Sequence, residues 1–253
     1  MKKKFNITGT CIPKLHYMMD NSAKLAGVME MIEGGEYFTI NRPRQYGKTT
    51  TLLTINETLN QSGQYRCFSM SFEGVGDAVF EEEDSFCEMF LQQLARYTSL
   101  WRQDLGQWLL DQVPATPKLK NLSQVIEQFV PKCGLPVVLL IDEVDKSSNN
   151  QLFLSFLGML RTKYLERNVF PTFHSVVLAG LHDVKTLKAK LRPEETAKFN
   201  SPWNIAADFK VEMSFRPHEI APMLVEYGEA EGVEIDVPAF AEKLYYYTAG
   251  YPF

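Results

Sequence analysis

The chain has 253 residues, enough for one sizeable core with a small appendage. Hydrophobic residues make up 45% and charged residues 23%, the balance of an ordinary soluble globular protein. A formal charge of −5 supplies no global attraction for nucleic acid. The longest apolar stretch, Val137 to Ile141, is far too short to span a membrane.

Four cysteines, Cys11, Cys67, Cys87 and Cys133, are scattered without C-x-x-C spacing, which argues against a zinc or dithiol motif and for reduced thiols. Lys2-Lys3-Lys4 follows the initiator Met, but no apolar signal core comes after it. A cytoplasmic protein with no membrane association is expected. The apolar finish Tyr251-Pro252-Phe253 suggests a piece of a longer protein.

Residues 5–20 carry turn formers and no period, and read as an extended arm. Asn21 is placed to cap a helix whose face is Leu25, Val28, Met29 and Ile32, ended by Gly34-Gly35. A strand, Tyr37 to Ile40, leads into Asn41-Arg42-Pro43-Arg44-Gln45-Tyr46-Gly47-Lys48-Thr49-Thr50, and a helix to about Gln61 leads out. Strand, Gly-Lys-Thr loop and helix form the layout that cradles a phosphate on backbone N–H groups at the positive end of a helix. The loop is expected to wrap phosphate from Arg44 through Gln45, Tyr46, Gly47, Lys48 and Thr49 to Thr50. Lys48 would charge-pair the β and γ phosphates, and the Thr49 hydroxyl would ligate Mg²⁺.

The usual pattern, G-x-x-x-x-G-K followed by Ser or Thr, needs a first glycine at position 42, where this chain has Arg42. Pro43 fixes its own φ and pushes its predecessor towards an extended conformation, so position 42 needs no glycine geometry.

Arg66 to Phe72 alternates as a second strand. Glu81 to Asp84 opens a long helical stretch to about Val113; its acidic residues read as a solvated first turn rather than a metal cluster. Asn121 to Lys132 is a further helix. Pro136 to Glu143, PVVLLIDE, has the continuous apolar run of a central parallel strand with both faces covered. A helix over about 150–167 follows, then the buried strand Phe173 to Gly180, a strand over Ala207 to Met213, a helix from Pro217 to about Glu231, and a last helix from Pro238. Alternating strands and helices indicate an α/β fold with a mostly parallel sheet.

Ligands of such sheets sit beyond the carboxyl ends of the strands. Asp142 and Glu143 therefore face the same rim as Lys48. Asp142 would hold Mg²⁺ through its water shell, and Glu143 would act as the base that activates water for attack on the γ-phosphate. Merely capping the next helix is the alternative for this pair.

These motifs resemble a family. NRPRQYGKTT with VVLLIDEVD is similar to the bacterial AAA-ATPase-like proteins whose loop reads RPRxxGKT, P-loop NTPases of the AAA+ and STAND type near the archaeal ATPases. FNITGTC, LAGLHDVK, RPEE, SPWNIAADF and YTAGYPF extend the resemblance over nearly the whole chain. It implies a three-layer P-loop fold with strand order 5-1-4-3-2 and the Phe173–Gly180 strand between the two site strands. It implies a core over 1–214 that includes the arm, and the beginning of a small helical lid over 215–253. It implies ATP rather than GTP, which agrees with the lack of an Asn-Lys-x-Asp motif. Relatives that carry a downstream nuclease-like domain make nucleic acid a partner only through a C-terminal region beyond this chain. His182 and Arg192 are candidates for the water- and phosphate-sensing positions, and Arg161 or Arg167 for an arginine finger.

The expected function is Mg²⁺-dependent ATP hydrolysis coupled to a conformational change, acting on a protein partner or within a homo-oligomer. A slowly turning over nucleotide-dependent switch is the alternative. Transfer of phosphate to a small molecule ranks below both. Direct nucleic-acid binding by Lys185, Lys188, Lys190, Arg192 and Lys198 ranks lower still, since Glu194 and Glu195 interrupt that stretch.

Overall fold

The computed structural model describes residues 2–7, 9–43, 45–144, 151–180 and 203–252. Four parallel strands form one sheet: β1 (Tyr37–Asn41), β2 (Arg66–Ser71), β3 (Val137–Asp142) and β4 (Ser175–Gly180), in the order β1-β4-β3-β2. The register pairs Asn41 with Gly180, Ile141 with Leu178, and Ser71 with Asp142. All carboxyl ends therefore reach one rim.

The helices are α1 (Ser22–Glu33), α2 (Lys48–Ser62), α3 (Glu83–Ser99), α4 (Gln103–Gln112), α5 (Leu119–Lys132), α6 (Gln151–Leu165), α7 (Pro217–Glu231) and α8 (Val237–Thr248). The apolar run of β3 explains the layering. Val137, Leu139 and Ile141 belong to the core that faces α3, α4, α5 and α6, while Val138 and Leu140 belong to the core under α1 and α2. Every residue of β3 is buried, and at roughly 1.5–3 kcal/mol per large apolar side chain this strand anchors both layers. Ile220, Leu224 and Ala241 make a separate small core between α7 and α8.

Three expectations are corrected. The long helix from Glu81 to Val113 is a short 3₁₀ turn, Asp77–Phe80, followed by α3 and α4. The Thr98 and Ser99 hydroxyls bond back to the carbonyls of Leu94 and Ala95, and the chain turns at Arg102, whose backbone is not helical. Gly106 then lies against α3, where a Cβ would stand 3.0 Å from the Ala95 carbonyl oxygen.

The fifth strand, expected over Ala207 to Met213 beside β1, is a single parallel bridge between Phe38 and Ala207, with the Ala207 N–H on the Tyr37 carbonyl at 2.8 Å. Beyond it, the Arg42 guanidinium takes the Val211 carbonyl at 3.1 Å, and Val211 packs against Gly27 of α1. The segment thus leaves the sheet edge, and the expected order 5-1-4-3-2 reduces to four laddered strands plus a bridged edge.

Asn21 makes no side-chain cap on α1. Its neighbour Asp20 accepts from the Ser22 N–H instead, and the Ser22 hydroxyl together with that N–H draws the Asp20 carboxyl below the usual range. Among the described residues no helix is long and apolar enough to cross a membrane.

Candidate functional site

The loop after β1 is built by two left-handed residues, Gln45 (φ 63°) and Gly47 (φ 72°); Arg42 is not left-handed. Gly47 is the N-cap of α2 and accepts the Thr51 N–H at 2.8 Å. No side chain caps this helix and no acidic residue sits in its first turn. The positive end of α2 is thus aimed at the rim, as anion binding requires. Open space at Gly47, with no atom within 4 Å of a Cβ built there, lets a phosphate approach the backbone. The buried Lys48 places its Nζ 2.8 Å from the Arg42 carbonyl and 2.9 Å from the Pro43 carbonyl, which holds the ammonium inside its own loop.

The acidic strand end meets the loop directly. The Thr49 hydroxyl donates to Asp142 Oδ2 at 2.7 Å, although 93 residues separate them. Asp142 is buried, and its Oδ1 accepts the Glu143 N–H at 2.9 Å. Glu143 is left-handed, with φ 56°, a conformation that non-glycine residues adopt at a cost. That turn carries the chain off the end of β3, with the Glu143 side chain half-buried.

The donor set fits Mg²⁺. A neutral hydroxyl and a carboxylate converge at 2.7 Å, hard oxygen donors of the kind the ion takes while keeping waters and phosphate oxygens as its other ligands. Among the described residues there is no group of three or more His, Cys, Asp or Glu able to hold a metal by themselves, so the nucleotide's phosphates would have to complete the shell.

Beside the loop opens a cavity of about 250 Å³. Gly47 and Thr50 form one wall, Tyr17 and Met19 of the arm another, and Ile220 and Leu244 of α7 and α8 the third. The arm is tied to the loop by the Cys11 N–H, which donates to the Thr50 hydroxyl at 3.1 Å. It is tied to α7 by Lys2–Glu231 and Lys3–Glu226 pairs and by Phe5, whose ring lies 5.1 Å from both Tyr17 and Tyr227. Under this roof, buried Lys24 pairs with buried Glu219 and lies 4.4 Å from the Phe215 ring. Burial pushes the Glu219 carboxyl up, but the Arg216 backbone N–H and Lys24 outweigh it and hold the group below the usual range.

The structure thus brings together Lys48, Thr49 and Asp142, with Glu143 adjoining. Gln45, Tyr46 and Gly47 form the bend, and Thr50 turns its hydroxyl to the arm. Arg44, His182, Arg192 and the basic stretch Lys185 to Lys198 lie outside the described residues. Arg161 is engaged with Asn204 at 2.7 Å, and Arg167 lies over the Tyr164 ring at 3.7 Å, both within this chain. Glu83 accepts the Leu119 N–H at the start of α5, and Asp84 the Ser85 N–H. The cavity walls were not legible in the sequence. Phe5, Tyr17 and Tyr227 meet from opposite ends of the chain, and no local period announces such a contact.

A parallel sheet with a Gly-Lys-Thr loop after β1 and an acidic end on β3 defines a P-loop NTPase fold. The chain belongs to the AAA-like domain family, whose model matches residues 14–252. No curated protein matches the sequence. Among solved structures, the Walker-type ATPase PABY2304 of Pyrococcus abyssi aligns over 98% of this chain and 67% of its own, with 12% identity and a TM-score of 0.67, a likeness of fold. An ORC2 protein of Aeropyrum pernix, in ADPNP–ADP complexes, aligns over 82% of this chain and 50% of its own, with 14% identity and a TM-score of 0.46. Cdc6p of Pyrobaculum aerophilum aligns over 85% and 54%, also with 14% identity and a TM-score of 0.46. The chain therefore spans about two thirds of the first protein and half of the other two.

Proposed function

We propose that the protein binds ATP with Mg²⁺ at the loop from Arg44 to Thr50 and hydrolyses it to ADP and phosphate. The observation that carries this reading is the 2.7 Å bond between Thr49 and Asp142, which joins the phosphate loop to the acidic strand end. The first-turn N–H groups of α2 would take the β-phosphate. Lys48 would exchange its two loop carbonyls for β- and γ-phosphate oxygens. Mg²⁺, held by the Thr49 hydroxyl and through water by Asp142, would neutralise charge on those oxygens.

Glu143 would accept the proton of the attacking water as its oxygen bonds to the γ-phosphorus and the bond to the ADP oxygen breaks. The apolar cavity beside Gly47 and Thr50 supports a base-binding role. Its third wall is α7 and α8, so occupancy of the site would bias these helices against the sheet, in the manner of a lid that starts near Phe215. A protein partner or a second copy would receive that change, and any nucleic acid would be met through a further C-terminal region. The four free thiols, three of them buried, support a cytoplasmic setting.

The test measures ATP binding and phosphate release in wild type, Glu143→Gln and Lys48→Ala. Glu143→Gln should keep ATP binding and lose roughly 10²–10⁴-fold in turnover, and Lys48→Ala should lose binding. Normal turnover in both variants would refute the assignment. ATP binding without phosphate release in the wild type would make the protein the slow switch instead.

A further inference from the structure

The last described residues of the chain return to the phosphate loop. The Tyr251 ring meets the Tyr46 ring edge-on, with centroids 4.8 Å apart and planes at 73°. Tyr46 also reaches Ser214, its hydroxyl 3.4 Å from the Ser214 hydroxyl. Both rings line the cavity with Gly47 and Thr50.

The backbone fixes this meeting. α8 ends in two consecutive left-handed residues, Ala249 (φ 50°) and Gly250 (φ 76°), which reverse the chain. The Gly250 carbonyl accepts the Phe215 N–H at 2.8 Å. A Cβ on Gly250 would fall 2.2 Å from the Phe215 carbonyl oxygen, so the approach admits glycine alone. The Tyr251 N–H bonds back to the Thr248 carbonyl at 2.9 Å. On the same side Arg216, at the start of α7, donates to the Tyr245 hydroxyl at 2.8 Å. The exit of α8, the entry of α7 and Tyr251 thus form one clamped unit. Tyr46 is its ring contact with the loop, and it stands next to the glycine that a phosphate must approach.

We propose that Tyr251 is a positioning residue for the phosphate loop. Its ring holds Tyr46, and through it the Gln45–Gly47 bend, in the phosphate-ready conformation. The same contact carries any displacement of that bend to the exit of α8. The proposal rests on the reading of the loop as an ATP site. Gly250 and Ala249 aim the ring, and Tyr46 receives it. An aromatic pair of this geometry contributes about 0.5–1.5 kcal/mol beyond its buried area. That is a roughly two- to tenfold effect on nucleotide affinity if the contact forms only with the loop in its binding conformation.

The experiment is a double-mutant cycle on Mg·ATP affinity in the 253-residue chain, with Tyr46→Ala, Tyr251→Ala and the double variant, plus Tyr251→Phe. Tyr251→Ala should weaken affinity roughly two- to tenfold. Tyr251→Phe should restore affinity, because the ring and not the hydroxyl makes the contact. The double variant should cost no more than the worse single one. Additive losses, or a Phe variant as weak as Ala, would overturn the proposal.

A ligand-free reading separates this from the ATP assignment. With ring-labelled tyrosine, Tyr46 and Tyr251 should show mutual cross-relaxation by NMR, and Tyr251→Leu should shift the Tyr46 ring signals. Absence of both would refute the contact whether or not the protein binds nucleotide. If both are present and the wild type ignores ATP, the failure falls on the nucleotide reading and ends the positioning role with it.

Discussion

The Thr49 hydroxyl and the Asp142 carboxylate share a hydrogen bond of 2.7 Å, from the first turn of α2 to the last residue of β3. β4 lies between the strands that deliver them, so the bond spans two ladders of the sheet. A buried carboxylate at a strand end costs desolvation unless it is well bonded, and Asp142 takes bonds on both oxygens from Thr49 and Glu143.

Asp142→Asn keeps the shape and removes the charge. It should retain ATP binding while the Mg²⁺ concentration needed for half-maximal hydrolysis rises by about 10–100-fold, the range typical of outer-shell metal partners. Thr49→Ala should shift the same titration in the same direction. An Mg²⁺ titration of phosphate release checks both, and unchanged midpoints would remove these residues from the metal site.

Acid should act through Lys24 and Glu219. The Glu219 carboxyl is held below its ordinary value in the folded protein. Its contribution is therefore fully present above the unfolded-chain value of about 4.3 and is lost as pH falls below that towards the folded value. Glu219→Gln leaves a buried ammonium without its anion and should cost about 3 kcal/mol at pH 7. Urea unfolding at pH 7 and at lower pH should show the gap between wild type and variant shrinking as the solution becomes acidic. A gap independent of pH would mean the pair is not the source.

Much of this site was legible because its signals are local. Gly47-Lys48-Thr49 after an apolar run and Asp142-Glu143 after another each fix a strand end, and a parallel sheet brings such ends to one rim. The run Val137 to Ile141 announced a strand buried on both faces. What failed depended on long-range competition. Residues 207–213 have strand-like residues, but Arg42 claims the Val211 carbonyl and draws the segment from the sheet edge. The break between α3 and α4 follows from hydroxyl back-bonding and the fit of Gly106, neither of which disturbs the apolar period. The arm over the cavity is fixed by partners more than 200 residues away, Glu226 and Glu231.

Thiol reactivity should single out Cys11. Burial pushes the Cys87 and Cys133 thiols up to about 12 and raises Cys67 as well, so few thiolates form at those positions near neutral pH. Cys11 is half-buried and lines the cavity beside Gly47 and Thr50. Maleimide labelling of the native protein, read by peptide mass spectrometry, should modify Cys11 first. Mg·ATP at ten times its Kd should slow that labelling roughly tenfold, in proportion to occupancy. Equal labelling with and without nucleotide would place the ligand outside this cavity.

Glu143 offers a test in which stability and activity part ways. Its φ of 56° is left-handed, a region that costs a non-glycine residue of order 1 kcal/mol or more. Glu143→Ala and Glu143→Gly both remove the carboxylate, so both should lose the same roughly 10²–10⁴-fold in turnover. They differ only in backbone freedom. At an ordinary position glycine is the less stable of the two by about 0.5–1 kcal/mol. Here the order should reverse, with the glycine variant more stable by about 1 kcal/mol, equal to roughly 2–4 °C in Tm for a chain of this size. Calorimetry of the two variants decides it. If alanine proves the more stable, the left-handed turn after β3 is not strained. If the order reverses while both variants are inactive, the turn carries a cost that glycine would relieve but that only a carboxylate-bearing residue turns to use, as expected where backbone strain places a reacting group.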